Sequence, residues 1–253
     1  MNSCRKKIYF AADAHLGNRY LPDPRAAERK LVRWLDDIGP QARAIYFLGD
    51  MFDYWYEYKH VVPKGFVRFL GKLAELSDSG VEVHLFIGNH DIWMFDYFPR
   101  EIGAVVHQGP ETVDLLGRRF FLAHGDEVGR RPPAFRALQA LFRNRICQRL
   151  YAAIHPRWTF ALARWWSYRS RVNGMDAQTP LMQDSETDAL VHFAGTYLQQ
   201  HPDIDCFIFG HRHVMLDMKL GDTSRLLIAG DWMQHFSWIE WDGKQLTLKQ
   251  MTE

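Results

Sequence analysis

Eight side chains sit where apolar runs end: Asp13, His15, Asp50, Asn89, His90, His124, His211 and His213. They are carboxylates, imidazoles and one amide without a thiolate, a donor set suited to a borderline-hard divalent ion. One histidine at a strand end is ordinarily packing or surface, so a lone DxH or GxH pattern carries little weight. Five apolar runs that each deliver such donors at the same end are another matter, because packing alone does not ask for it. The stretch LFIGNHDIW (85–93) shows the point. A turn can use Gly88 and Asn89, which tolerate positive φ, but has no need of His90 and Asp91 directly afterwards. Without His90, seven ligands exceed one tetrahedral ion and suit two ions about 3.5–4 Å apart that share a carboxylate and keep positions open to solvent. Paired cations lower the pKa of bound water, so that a nucleophile for hydrolysis exists near neutrality.

The elements that must position these residues are KKIYFAADAH (6–15), AIYFLGDMFD (44–53), VEVHLFIGNHD (81–91), RRFFLAHGDE (118–127) and DCFIFGHRH (205–213). Their β-branched and aromatic residues fall on both pleats, which predicts strands covered on both faces. Helical patterns lie between them, as in PRAAERKLVRWLDDIG (24–39) and KGFVRFLGKLAELSDSG (64–80). That alternation means α/β. In such sheets ligands bind beyond the carboxyl ends of the strands, so the five polar clusters are expected to meet at one site. A further helix is expected around 185–200, with Ser185 and Asp188 at capping-box-like spacing. LLIAGDW (226–232) and FSWIEWDGKQLTLKQM (236–251) read as closing strands, with a hairpin at Asp242 and Gly243.

The segment from Val128 to Met175 departs from this pattern, with ten arginines, no Asp or Glu, and the tryptophans Trp158, Trp165 and Trp166. It reads as an insertion of two amphipathic helices, 131–155 and 156–171, joined near His155 and Pro156. The aromatic stretch DYWYEYK (53–59) reads as wall and core packing, with direct contact to a ligand's base or acyl chain as the alternative. The 253 residues, 47% hydrophobic, suffice for one large α/β domain or at most two small ones. With 31 basic against 30 acidic residues, the net charge of +1 excludes no partner class; only the local excess of arginine is informative. Cys4, Cys147 and Cys206 are odd in number and in no CxxC spacing, which predicts reduced thiols in a reducing compartment. The apolar run before Asp13 is too short for a signal-peptide core, and no run approaches the roughly 20 apolar residues of a membrane span. The expectation is a cytoplasmic protein that at most lies on a membrane.

In order along residues 13–213, DAH, GDMFD, GNHD, HGD and GHRH resemble the five motifs of the calcineurin-like metallophosphoesterases. The resemblance implies a sandwich of two central β-sheets flanked by helices, one domain over 1–253, and two divalent ions, Mn2+ by analogy. It places Asp13, His15, Asp50 and His213 on one ion and Asp50, Asn89, His124 and His211 on the other. His90 would face the substrate and protonate the leaving oxygen, with Asp91 orienting its ring. For Asp91 and for Asp126, a turn or a hydrogen bond behind the ligands is the competing reading. The whole chain is also similar to the UDP-2,3-diacylglucosamine diphosphatases of lipid A synthesis, which release UMP and a diacylated glucosamine 1-phosphate and carry a helical lid between HGD and GHxH. That implies a lid over 128–180, whose apolar face would take acyl chains or the anionic leaflet; from charge alone, Arg143, Arg149, Arg157, Arg164 and Arg169 are candidate contacts to a pyrophosphate, with a solvated arginine-rich helix face as the competing reading. It further implies a lipid-linked UDP-sugar substrate, a peripheral place on the cytoplasmic surface of the inner membrane, and no nucleic acid. This chain has GNHD where the well-studied branch has GNRD. The alternative is therefore a phosphodiesterase or nuclease of the same fold, whose arginines would track a phosphate backbone and make binding strongly salt-dependent. A non-catalytic scaffold would have lost ligands, and none is missing.

Overall fold

The structure is a computed structural model that describes residues 5–18, 21–129, 133–163 and 189–251, with the backbone alone at 135 and 136. Four parallel strands, β1 (Lys7–Ala11), β2 (Ala42–Leu48), β3 (Glu82–Phe86) and β4 (Val105–His107), form one sheet with antiparallel β10 (Ser237–Trp241) and β11 (Leu246–Gln250) beyond β1. The second sheet has β6 (Arg118–Ala123), β7 (Cys206–Phe209) and β9 (Ser224–Ala229) parallel, edged by antiparallel β5 (Glu111–Leu115) and β8 (Met215–Leu220). Period-two alternation divides each strand between two cores. Ile8 and Phe10 face inward with Tyr46, Phe86, Phe120 and Ile208, and the Phe10 and Phe120 rings stack at 5.8 Å. Their neighbours Tyr9 and Ala11 turn outward onto α1 (Pro24–Ile38) and α2 (Val67–Asp78) through Leu31, Trp34, Phe69 and Leu73. On the other side, Phe121, Phe207 and Ile228 pack on α5 (Ala189–Gln200) through Leu190 and Ala194. Two mixed sheets flanked by helices are thus what the two-sided apolar runs build.

Local chemistry sets several boundaries. Asp23 caps α1 by accepting the N–H groups of Arg25 and Ala26, both at 2.9 Å. Asp242 accepts from Lys244 and Gln245 at 2.8 and 2.7 Å, and Gly243 has φ +88°, which forms the expected hairpin. Ser185 and Asp188 lie outside the described residues, as does Cys4; Cys147 and Cys206 are both free thiols. The strands β4, β5 and β8 were not expected from the sequence.

The inserted segment corrects one expectation. In place of one helix over 131–155 there are two, α3 (Pro133–Arg143) and α4 (Arg145–Ala152). Asn144 breaks the run: with ψ 121° it leaves the helical region, and its side-chain oxygen accepts from Ile146 and Cys147 at 2.9 and 3.2 Å to start a new helix. Helical structure resumes over 156–163. The DYWYEYK stretch is the seat of this insert. Tyr56 donates to the Gln148 carbonyl at 2.6 Å, the Tyr54 and Tyr151 hydroxyls lie 3.1 Å apart, and the Tyr58 hydroxyl pairs with that of Thr159. Trp93 donates to the Phe142 carbonyl at 3.0 Å and stacks on Tyr151. Among the described residues, no helix is long and apolar enough to cross a membrane.

Candidate metal centre

The carboxyl ends of β1, β2 and β3 from one sheet and of β6 and β7 from the other meet at one edge of the sandwich. The chain leaves each strand in an unusual conformation there. Asp13 (φ 56°), His15 (41°), Asp50 (53°), His211 (67°) and His213 (51°) all lie in the left-handed region. Each such non-glycine residue costs on the order of 1–3 kcal/mol and persists only where its surroundings fix it. The fixing is visible: Asp13 N donates to Gly49 O at 3.1 Å and His15 N to Asp50 O at 2.9 Å. Gly88 is required for close approach, since a Cβ on it would collide with the Asp50 carboxylate and backbone nitrogen. That answers why β3 runs into glycine before Asn89.

The carboxylates divide their oxygens. Asp13 Oδ2 accepts the His211 N–H at 2.7 Å, while Oδ1 faces His15 Nε2 at 3.8 Å and His213 Nε2 at 3.7 Å. Asp50 Oδ1 accepts the His90 N–H at 2.8 Å, while Oδ2 faces His15 Nε2 at 3.7 Å and His124 Nε2 at 3.4 Å. His124 Nδ1 donates to the Leu48 carbonyl at 2.8 Å, so its Nε2 carries the lone pair of the neutral ring, and this atom lies 3.2 Å from Asn89 Oδ1. Among the described residues three groups have ligand atoms within 4.8 Å of one another: Asp13–His15–His213, Asp50–His124–His211 and, behind His15, His15–Asp53–His90. Asp50 stands between the first two. Donors about 2.0–2.2 Å from a common ion lie roughly 3.0–3.6 Å apart, close to these spacings. Asp13 Oδ1 and both ring nitrogens of His15 are buried with no hydrogen-bond partner of ordinary geometry. Buried oxygens and nitrogens that converge unsatisfied are a fit for divalent cations.

Electrostatics within the cluster are strong because Asp13, His15, Asp50 and His124 are buried. Burial pushes the Asp50 carboxyl up, but His124, His90 and His15 outweigh this and hold it well below the usual range. Burial lowers His124, and Asp50 and Asp13 raise it well above an ordinary histidine. His15 is held low by burial, with Asp53 opposing.

The seven expected ligands are therefore brought together, and His90 with them, its ring edge-on to His15 at 4.7 Å. Asp91 requires a correction. In place of turning the His90 ring, its buried carboxylate accepts four backbone N–H groups, from Gly88 (2.8 Å), Asp50 (3.2 Å), Met51 (2.8 Å) and Phe52 (3.2 Å). It braces the two ligand loops against each other. The atom 3.1 Å from His90 Nδ1 is the Asp53 carbonyl oxygen. Asp126 accepts from Gln139 of α3 at 2.7 Å, which ties the centre to the insert. Arg143, Arg149 and Arg157 are exposed on the insert, with no carboxylate partner among the described residues; Arg164 and Arg169 lie outside those residues.

Two carboxylates went unrecognised in the sequence. Asp53 Oδ1 lies 3.6 Å from His15 Nδ1, and Asp231 Oδ2 lies 3.6 Å from His213 Nδ1. Both had a signal: Asp53 closes GDMFD, and AGDW after β9 repeats the strand, glycine, aspartate pattern of FLGD.

Residues 6–215 match the calcineurin-like phosphoesterase family. The chain is 50% identical over 259 aligned residues to a UDP-2,3-diacylglucosamine hydrolase of Porphyromonas gingivalis, covering 98% of this chain and 99% of that protein. Proteins of the same name from Nitrosococcus oceani and Hahella chejuensis are 26% and 27% identical, covering 88% and 94% of this chain and 86% and 95% of theirs.

Proposed function

The chain belongs to the calcineurin-like phosphoesterase family, and on that premise we propose that it hydrolyses the pyrophosphate of UDP-2,3-diacylglucosamine to UMP and 2,3-diacylglucosamine 1-phosphate, a step of lipid A synthesis. The observation that carries this reading is the reach of the 50% identity: it spans 98% of the chain, and so takes in the insert as well as the strand ends. The fold implies divalent metal ions, and the donor set accepts two, which we assign as Mn2+. When bound, such ions supply Lewis acidity toward phosphoryl oxygen and a water of lowered pKa. We assign Asp13, His15, Asp50 and His213 to one ion and Asp50, Asn89, His124 and His211 to the other.

The chain's own groups do the rest. His90, its Nδ1 proton directed at the Asp53 carbonyl, turns Nε2 into the role of proton donor to the leaving oxygen. Asp91 holds the loops that carry Asp50 and Asn89 in register. The insert serves as a lid over residues 128–180 and as a grip on an amphiphilic substrate. A cavity of about 280 Å³ between Trp93, Phe142, Leu150, Tyr151 and Ile154 is almost wholly apolar and suits an acyl chain. Leu141, Ile146, Leu150, Ile154, Trp158 and Leu162 are exposed among Arg143, Arg149 and Arg157, which have no acidic partner among the described residues, a surface matched to an anionic leaflet. We therefore place the protein peripherally on the cytoplasmic face of the inner membrane.

The test is UMP release, followed by mass spectrometry, from UDP-2,3-diacylglucosamine in detergent by the Mn2+-loaded protein, with a deacylated UDP-sugar as control. Release from the diacyl substrate alone is expected. Hydrolysis of a generic phosphodiester without UMP release would discard the lipid assignment in favour of another phosphoester.

A further inference from the structure

Asp231 follows β9 and belongs to none of the five strand-end motifs. It is fully buried, and its two oxygens have separate duties. Oδ1 accepts the N–H groups of Met233 (3.1 Å), Gln234 (2.7 Å) and His235 (2.9 Å), which folds 231–235 into a tight turn. Oδ2 faces two imidazoles instead, 3.6 Å from His213 Nδ1 and 3.3 Å from His235 Nδ1. All three of these atoms are buried, and none has a hydrogen-bond partner of ordinary geometry among the described residues, so these close approaches are their nearest polar company. The opposite nitrogen of the His213 ring, Nε2, looks toward Asp13 Oδ1 at 3.7 Å.

A carboxylate oxygen only accepts, so a neutral His213 beside it must carry its proton on Nδ1 and present the Nε2 lone pair to the Asp13 group. We propose that Asp231 is a positioning residue of the metal centre, fixing the tautomer and ring angle of His213 so that Nε2 is available as a ligand. This rests on the metal reading given above. The same geometry is repeated independently behind the neighbouring ligand: His15 Nδ1 lies 3.6 Å from Asp53 Oδ1, while its Nε2 faces Asp13 and Asp50. Asp53 comes from the loop after β2 and Asp231 from the loop after β9, one from each sheet. Two stacked histidines, 5.1 Å apart, are thus each backed by a carboxylate on the side away from Asp13.

Asp231→Asn separates this role from folding. The three backbone N–H groups keep the side-chain carbonyl at the Oδ1 position, so the amide NH2 must take the place of Oδ2. It then donates to Nδ1, and His213 carries its proton on Nε2, where it blocks ligation. The experiment is calorimetric titration of the chelator-stripped full chain with Mn2+, with thermal unfolding of the metal-free proteins alongside. The wild type is expected to take up two ions. Asp231→Asn is expected to bind one of them about 10–100-fold more weakly, with an unchanged metal-free midpoint. His235→Ala is expected to keep wild-type affinity, because the Asp231–His213 pair remains. Unchanged Mn2+ affinity in Asp231→Asn would overturn the inference and leave the metal reading standing. A wild type that takes up no Mn2+ would overturn both. Equal loss in His235→Ala, or a lowered metal-free midpoint in Asp231→Asn, would also overturn it, since the effect would then run through His235 or through folding.

Discussion

The metal centre and the insert, joined by the Gln139–Asp126 hydrogen bond, are built on opposite principles. At the centre Asp13 and His124 have no exposed surface, five ligand-bearing residues hold strained backbone, and each carboxylate has one oxygen pinned by an amide. On the insert Leu150 is 65% and Trp158 66% exposed, Arg143, Arg149 and Arg157 have no acidic partner among the described residues, and it is held to the sandwich largely by tyrosine hydroxyls and Trp93. Preorganised polar groups are what chemistry on phosphorus needs, because they do not have to reorient as charge develops. An exposed apolar and cationic face is what recognition of an amphiphile needs. The division of labour we propose is therefore chemistry in the centre and substrate choice in the insert.

The largest expected effect is in the centre. Asp50→Asn removes the one carboxylate that stands between both donor groups, and should abolish turnover and metal uptake together, read by elemental analysis beside the assay. His90→Ala should keep the metal content and slow turnover by about 10²–10⁴-fold, the usual worth of a positioned proton donor. Equal metal loss in the two variants would erase the distinction between ligand and acid.

Acid should weaken the sandwich, and no carboxylate of the arginine-rich insert contributes, since Val128–Met175 has no Asp or Glu. His84 on β3 is the group to follow: burial, and then His107 of β4 at 3.0 Å, depress it to about 4. An unfolded histidine near 6.5 binds a proton that the folded one refuses. Stability from this group is therefore complete above pH 6.5 and is lost as pH falls toward 4, by up to about 3 kcal/mol. Unfolding midpoints at successive pH values, compared with His84→Gln, should show a flatter acid limb in the variant.

The smallest effect concerns the seat. Tyr56→Phe removes the 2.6 Å bond to the Gln148 carbonyl and should cost about 1 kcal/mol. It should raise the rate of tryptic cleavage within the insert with little change in the global midpoint. A large fall in that midpoint would mean that insert and sandwich form one cooperative unit.

The same contrast governs what could be read from the sequence. Strand ends were legible because an apolar run that stops at Gly-Asp, Gly-Asn or Gly-His is a local pattern with a fixed period. Asp53 and Asp231 were not, because an aspartate after a strand reads equally as a turn; only the fold sets each behind a histidine. For Asp91 the sequence leaves two readings open, a partner of the His90 ring and a hydrogen bond behind the ligands, and the fold takes the second, since backbone N–H groups of its own loop and of the neighbouring one occupy the carboxylate. The strands β4, β5 and β8 are short or partly exposed and lack strong alternation, and they form only through their partners. In the insert, helical periodicity was clear, but a single Asn144 decided where one helix became two.

The most direct test of this division compares two substrates on one variant. In Arg143→Ala/Arg149→Ala/Arg157→Ala, kcat/KM is measured for UDP-2,3-diacylglucosamine in anionic mixed micelles and for the soluble diester bis-p-nitrophenyl phosphate. The lipid reaction should fall by at least about tenfold, equivalent to roughly 1.4 kcal/mol of lost binding, while the diester reaction stays at the wild-type value. Rates that fall together, or a lipid rate that does not change, would contradict the assignment of chemistry to the centre and substrate choice to the insert.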